Sequence, residues 1–244
     1  VAGAENYGDG FGAALVFLKP AGGWADTNEP TAILSSPSAV GLGNSVAVSG
    51  DGDTVAAGSI GLHELGAAYI FTKPETGWQN ESPVATLTNS DQGVEDAFGY
   101  SITASPTGNT IVVGDPGKAV YVFDRPKTGW QTMTQTAELT VLAHELDTQL
   151  GWSVALFGNV ILAGAPNIFI GHENPGAAFA YIKPLGGWAN TSMPNLPVTS
   201  SDGASRDGFG QSVALNGNIG IIGAPGHAVN GNAEQGAAYI FGQR

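Results

Sequence analysis

The sequence predicts an all-β fold assembled from repeats of one small antiparallel sheet, and three observations carry that prediction. The phrase Gly66-Ala67-Ala68-Tyr69-Ile70-Phe71-Thr72-Lys73-Pro74, with Gly77-Trp78 behind it, recurs as Gly12-Ala13-Ala14-Leu15-Val16-Phe17-Leu18-Lys19-Pro20 with Gly23-Trp24. Later copies reach Arg125-Pro126 with Gly129-Trp130 and Lys183-Pro184 with Gly187-Trp188, and Gly236-Ala237-Ala238-Tyr239-Ile240-Phe241 opens a fifth. The period is about 50 residues, in the range of one propeller blade. Apolar and small residues alternate at period two around each phrase, with no helical period of useful length. Gly-Asn and Asn-Gly pairs punctuate the strands and supply the positive φ that tight hairpins need.

Each full unit opens on a strand of small and branched residues: Leu42-Gly43-Asn44-Ser45-Val46-Ala47, Phe98-Gly99-Tyr100-Ser101-Ile102-Thr103, Leu150-Gly151-Trp152-Ser153-Val154-Ala155 and Phe209-Gly210-Gln211-Ser212-Val213-Ala214. A hairpin turn follows, through Ser49-Gly50-Asp51-Gly52-Asp53, Ser105-Pro106-Thr107-Gly108-Asn109, Phe157-Gly158-Asn159 or Asn216-Gly217-Asn218. The second strand is Thr54-Val55-Ala56-Ala57-Gly58 or its counterparts, ending in three units at Pro116, Pro166 or Pro225, where proline cannot donate to a ladder. Val1-Ala2-Gly3-Ala4 is the same strand in the first unit. A loop of variable length leads to the third strand, the aromatic phrase, whose alternation suits a half-buried face. After the Pro-x-x-Gly-Trp turn comes a fourth strand, through Ala32-Ile33-Leu34, Ala85-Thr86-Leu87, Ala137-Glu138-Leu139 or Leu196-Pro197-Val198. A ring of such blades buries both faces of each. The expectation is a five-bladed β-propeller of four-stranded antiparallel blades, one domain over 1–244, with units near 1–40, 41–97, 98–149, 150–208 and 209–244. The first unit lacks its first strand and the last its fourth. Three accounts stay open: a segment of a longer chain, imperfect closure, or strand donation by a neighbouring molecule at an exposed edge.

Phe-Gly before the first strand, Gly-Ala-Pro after the second and Gly-Ala-Ala-Tyr-Ile-Phe on the third together resemble the FG-GAP repeats of integrin α-subunit propellers and many secreted bacterial proteins; Ser49-Gly50-Asp51-Gly52-Asp53-Thr54 is similar to the bacterial branch. The resemblance implies a propeller and an extracellular or cell-surface location. It also implies a calcium loop of the form Asp-x-Asp-x-Asp-Gly between strands one and two, since Ca²⁺ takes six to eight hard oxygens. Here only Asp51 and Asp53 remain, with Asn109, Asn159 or Asn218 alone in the other turns, so a plain turn is expected and no cofactor is assigned.

Composition narrows the function classes. Apolar residues are 42% and charged residues only 12% of the 244. Eight basic against 21 acidic residues give a net charge of −13, which disfavours nucleic acid and anionic membranes as partners. No apolar run approaches a membrane span, and the absence of cysteine removes a disulfide framework. Asn80-Glu81-Ser82 and Asn190-Thr191-Ser192 are glycosylation sequons. No nucleophile elbow, phosphate loop or cysteine nucleophile occurs, and Gly8, Gly10 and Gly12 have no helix behind them, so no enzyme is expected and no catalytic residue is named.

The topology sorts the remaining candidates onto two faces. Loops from strand two to three and from unit to unit share one face. It carries the ligand-site candidates His63, Asp91, Glu95, Asp96, His144, Glu145, His172, Asp202, Asp207 and His227. His-Glu pairs on separate blades do not make a metal motif. The opposite face carries Lys19, Lys73, Arg125, Lys127 and Lys183 beside the Trp turns, where Trp24, Trp78, Trp130 and Trp188 are expected to pack on hairpins; Trp152 lies outside that series and is expected in the core. The function expected is a non-catalytic extracellular module for adhesion or assembly, binding other copies of itself, a surface protein or a glycan. Copies would join through opposed charged faces (Lys19, Lys73, Arg125, Lys183) or through the end blades at Val1, Ala2, Gly3 and Phe241, Gly242, Gln243, Arg244. The rival is a glycan-binding propeller using the histidine-bearing face.

Overall fold

The computed structural model of the protein describes all residues except 61–64, 92, 94–96, 117, 143–147, 172 and 243–244. Among the described residues there is no helix, and the strands form five separate sheets. The first holds β1 (Ala2–Ala4), β2 (Ala13–Val16) and β3 (Ala32–Leu34). The second is built from β4 (Ser45–Val48), β5 (Thr54–Ser59), β6 (Ala67–Thr72) and β7 (Ala85–Thr88), and the third from β8 (Ser101–Ala104), β9 (Thr110–Asp115) and β10 (Ala119–Asp124). The next strand, β11 (Met133–Thr134), does not join its own unit's sheet; it pairs parallel with β7 as a fifth strand of the second sheet, and β12 (Ala137–Leu139) completes the third. The fourth sheet comprises β13 (Ser153–Phe157), β14 (Val160–Ala165), β15 (Ala177–Ile182) and β16 (Leu196–Val198); the fifth comprises β17 (Ser212–Asn216), β18 (Ile219–Ala224) and β19 (Ala237–Gly242).

Apart from the parallel β11–β7 pair, the pairing within each sheet is the predicted antiparallel meander, for example Ala57↔Tyr69 and Ala163↔Phe179. Pro197 pairs on the outermost strand of the fourth sheet, where its missing N–H faces away from the ladder. The first strands of neighbouring sheets lie side by side, β4 against β8, β8 against β13 and β13 against β17. Successive sheets stack face on face, and a separate apolar layer fills each gap. Val55, Ala57, Tyr69 and Phe71 meet Ala14, Val16, Ala32 and Leu34 of the first sheet. Ala56, Ile70 and Leu87 meet Ile111, Val113, Tyr121 and Phe123 of the third. Val112, Val120 and Val122 meet Ile161, Ala163, Phe179 and Tyr181, and Leu162 and Ala178 meet Ile222 and Ala224. Period-two strands with both faces apolar are what such stacking requires.

Glycines at each junction set the spacing. A Cβ on Gly3, Gly58, Gly114 or Gly164 would fall about 2 Å from the carbonyl oxygen of Gly43, Gly99, Gly151 or Gly210 in the next unit. Only the missing side chain lets the backbones approach that closely. The same carbonyls accept a hydroxyl hydrogen bond from the preceding sheet: Ser45 Oγ to Gly99 O (2.6 Å), Ser101 to Gly151 (2.7 Å) and Ser153 to Gly210 (2.8 Å).

The stack also ties its outer edges. After the Trp78, Trp130 and Trp188 turns the chain reaches back onto the preceding sheet: Asn80 Oδ1 accepts from Ile33 N (2.8 Å), Thr132 Oγ1 from Thr86 N (3.2 Å) and Asn190 Oδ1 from Glu138 N (2.9 Å). Both sequon asparagines therefore have a structural task at the sheet edge. The turn itself packs on the hairpin of its own sheet, with Trp78 Nε1 donating to Gly52 O (3.0 Å) and Trp130 Nε1 to Gly108 O (3.1 Å). Trp78, Trp130 and Trp188 are buried, whereas Trp24 is 65% exposed. The expected packing fails at Trp24 because the first sheet has no strand-one hairpin to receive it.

Candidate functional site

Of the candidates on the histidine-bearing face, His63, Glu95, Asp96, His144, Glu145 and His172 lie outside the described residues. The remaining four fall into two places. Asp91 pairs with Lys118 Nζ (3.2 Å) and accepts from the Tyr121 hydroxyl (3.2 Å), whose pKa burial pushes far above the usual phenol value. Asp202, Asp207 and His227 come together at the fifth sheet. His227 Nδ1 donates to the buried Asp207 (2.7 Å), its Nε2 lies 3.6 Å from Asp202, and the Tyr239 hydroxyl donates to Asp202 (2.8 Å). Ala204 N also donates to Asp207 (2.9 Å). The bond to Asp207 raises the His227 pKa, and burial together with Asp202 pushes the Tyr239 hydroxyl up to about 12. These acids are engaged by their own neighbours. Among the described residues no three His, Asp or Glu side chains are grouped to hold a metal ion.

The two calcium candidates are likewise taken up by their turn. Asp51 Oδ1 accepts from Ser49 Oγ (2.5 Å) and Asp53 N (3.1 Å), which lowers its pKa, and Asp53 pairs with Lys73. On the basic face Lys183 pairs with Asp124 (3.2 Å) and stands 6.0 Å from the Trp188 ring, so Lys73 and Lys183 are neutralised within the molecule; Lys19 and Arg125 have no ion pair among the described residues. Gln243 and Arg244 lie outside the described residues.

What the sequence did not single out is a row of side chains at one repeat position. The residue after each Leu-Gly or Phe-Gly donates its N–H back to the residue before that pair: Asn44 to Gly41 (3.3 Å), Tyr100 to Ala97 (3.0 Å), Trp152 to Gln149 (3.1 Å) and Gln211 to Gly208 (3.0 Å). This tight turn sets the four beside one another at the mouth of the stack. Asn44 Nδ2 donates to Tyr100 O (3.2 Å), and the Tyr100 and Trp152 rings are 4.8 Å apart at 50°. Trp152 is thus half-buried at a rim and not in the core. Two cavities adjoin it, one of about 670 Å³ shared with Tyr100, Gln211 and the fifth sheet, and one of about 350 Å³ between the fourth and fifth units. The signal available in the sequence was variability: a position holding Asn, Tyr, Trp and Gln inside an otherwise constant phrase is free of the packing that fixes its neighbours.

The fold and this rim define a repeat protein of stacked antiparallel sheets. Residues 197–241 match the FG-GAP repeat family, a match that ends within β19. No curated protein matches the chain.

Proposed function

We propose that the protein is a non-catalytic extracellular module for surface adhesion or assembly, its five sheets acting as blades of a propeller, and that a second copy seats on the outward face of the fifth sheet. The observation that carries the proposal is that face. Ile240, Ile219 and Ile221 are 73%, 52% and 42% exposed. Their counterparts in the inner sheets are covered: Ile70 and Val122 correspond to Ile240, Leu162 to Ile221. The polar half of the junction is present too. Gly223 meets no neighbouring sheet, and Ser212 occupies the place of the three serines that donate across a junction. A sheet of the same kind is complementary by construction, since four such contacts already exist in the chain. Opposed charged faces are the weaker route, because Lys73 and Lys183 are already paired. The contact is head to tail and propagates unless it closes. An extracellular location accords with the FG-GAP repeat, and no helix of the described residues is long and apolar enough to cross a membrane. Sedimentation equilibrium tests the proposal. The protein should gain mass with concentration, and Ile240→Asp should hold it monomeric at unchanged secondary structure; a wild type that stays monomeric throughout overturns it.

A further inference from the structure

We propose that the recess beside Trp152 between the fourth and fifth units binds an acidic saccharide, independently of any assembly through the fifth sheet. The recess, of about 350 Å³, is lined by Gln149, Trp152, Asn167, Asn174, Arg206 and Gln211. Its polar groups are unspent. Among the described residues the Trp152 Nε1–H, the carboxamides of Gln149, Asn167 and Gln211, and the Arg206 guanidinium have no side-chain hydrogen bond or ion pair. The neighbouring carboxylates are held by their own partners, Asp207 by His227 and Ala204 N and Asp202 by the Tyr239 hydroxyl. Against a net charge of −13, the one charged group among the described residues that line the recess is the cation Arg206. An aromatic plane with several carboxamides around it suits a ring that has apolar faces and a belt of hydroxyls, since each carboxamide offers a donor beside an acceptor. A guanidinium in the same recess adds bidentate recognition of a carboxylate.

The walls are held in place before any ligand arrives. Asn174 N donates to Ser205 Oγ (3.1 Å), Arg206 N to Asn174 O (2.7 Å) and Phe209 N to Pro175 O (2.8 Å), which fastens the two loops to each other. With its amide turned so that Nδ2 donates to the Asn167 (3.2 Å) and Ile168 (3.3 Å) carbonyls, Asn174 keeps Oδ1 as an acceptor. Tyr100 backs the indole. Two side chains are also carried on strained backbone. Gln149 has φ 53° at the repeat position where Gly41 (69°) and Gly208 (66°) stand, and Arg206 has φ 73°. Left-handed non-glycine residues gather where function requires a side chain that the backbone does not favour.

Calorimetry with oligogalacturonate, its neutral methyl ester and a glutamate peptide tests the assignment. Oligogalacturonate should bind, and Arg206→Gln should weaken it about tenfold, the worth of one charge-assisted pair, while leaving the methyl ester unchanged. Gln149→Gly should weaken binding without lowering the melting temperature, an outcome that a purely structural role for Gln149 would not give. Trp152→Ala should abolish binding, and the two milder variants decide the matter if it does not fold. The proposal is overturned if neither saccharide binds, if acid and ester bind alike and ignore Arg206→Gln, or if the peptide binds more tightly than the saccharide.

Discussion

His227 sits between one buried and one exposed carboxylate, and the buried one dominates. The hydrogen bond from Nδ1 to Asp207 raises the imidazole pKa above its ordinary value of about 6.5; Asp202, 3.6 Å away with a side chain 61% exposed, contributes little through solvent. A folded-state pKa raised above the unfolded one gives stability that is complete below about pH 6.5 and is lost as pH rises through the folded value. The melting temperature of the wild type should therefore exceed that of His227→Gln most at pH 6, with the gap narrowing toward pH 8.5; a gap independent of pH would contradict the assignment. At this scale the sequence was legible where a residue repeats and misleading where it does not. Trp78 and Trp130 share a phrase and share a hydrogen bond, so their packing was foreseeable. Trp24 carries the same phrase without the hairpin beneath it. Trp152 suggested core because tryptophans are usually covered, and the turn that lifts it to the rim has no signature beyond an unremarkable Leu-Gly.

Elements are set apart by what lies across the gap from them. At Gly164 a Cβ would stand 1.9 Å from the Gly210 carbonyl oxygen, a backbone atom that can retreat only by opening the junction. At Gly223 the nearest atom is Ser212 Oγ at 2.4 Å, the end of a rotatable side chain. Gly164→Ala should cost about 3 kcal/mol or more in denaturant unfolding, and Gly223→Ala under about 1 kcal/mol, although the two glycines occupy the same repeat position. Equal costs would show that the glycines serve backbone freedom and not inter-sheet contact. Most strands were legible as alternation between turn residues. β11 was not, because two residues on a neighbouring sheet's edge have no periodicity to display. Asn80 and Asn190 read as sequons, while their carboxamides cap strand edges of the preceding sheet. A local pattern says which residues form a strand and says nothing of whose edge the strand borders.

Across the whole molecule, cover is unequal. The second, third and fourth sheets are packed on both faces, and the fifth on one. Regions with few buried contacts open at lower free energy than the core. Amides of Ile219–Ala224 should thus exchange with solvent on the order of tenfold or more faster than those of Thr110–Asp115, by hydrogen-exchange mass spectrometry at low protein concentration; uniform protection would mean that the fifth face is covered after all. Gly-Ala-Ala-Tyr-Ile-Phe at 66–71 and at 236–241 is one hexapeptide, yet Ile70 is fully buried and Ile240 is 73% exposed. Repetition made the unit readable and concealed its neighbourhood, which is why the stack was foreseeable and the open face was not. The back-reaching segments at Asn80, Thr132 and Asn190 put the seams of the covalent repeat and those of the hydrogen-bonded sheet out of step. A protease that nicks the loop at one of the first three junctions would sever the backbone there without freeing either piece, because the later unit still holds the edge of the earlier sheet.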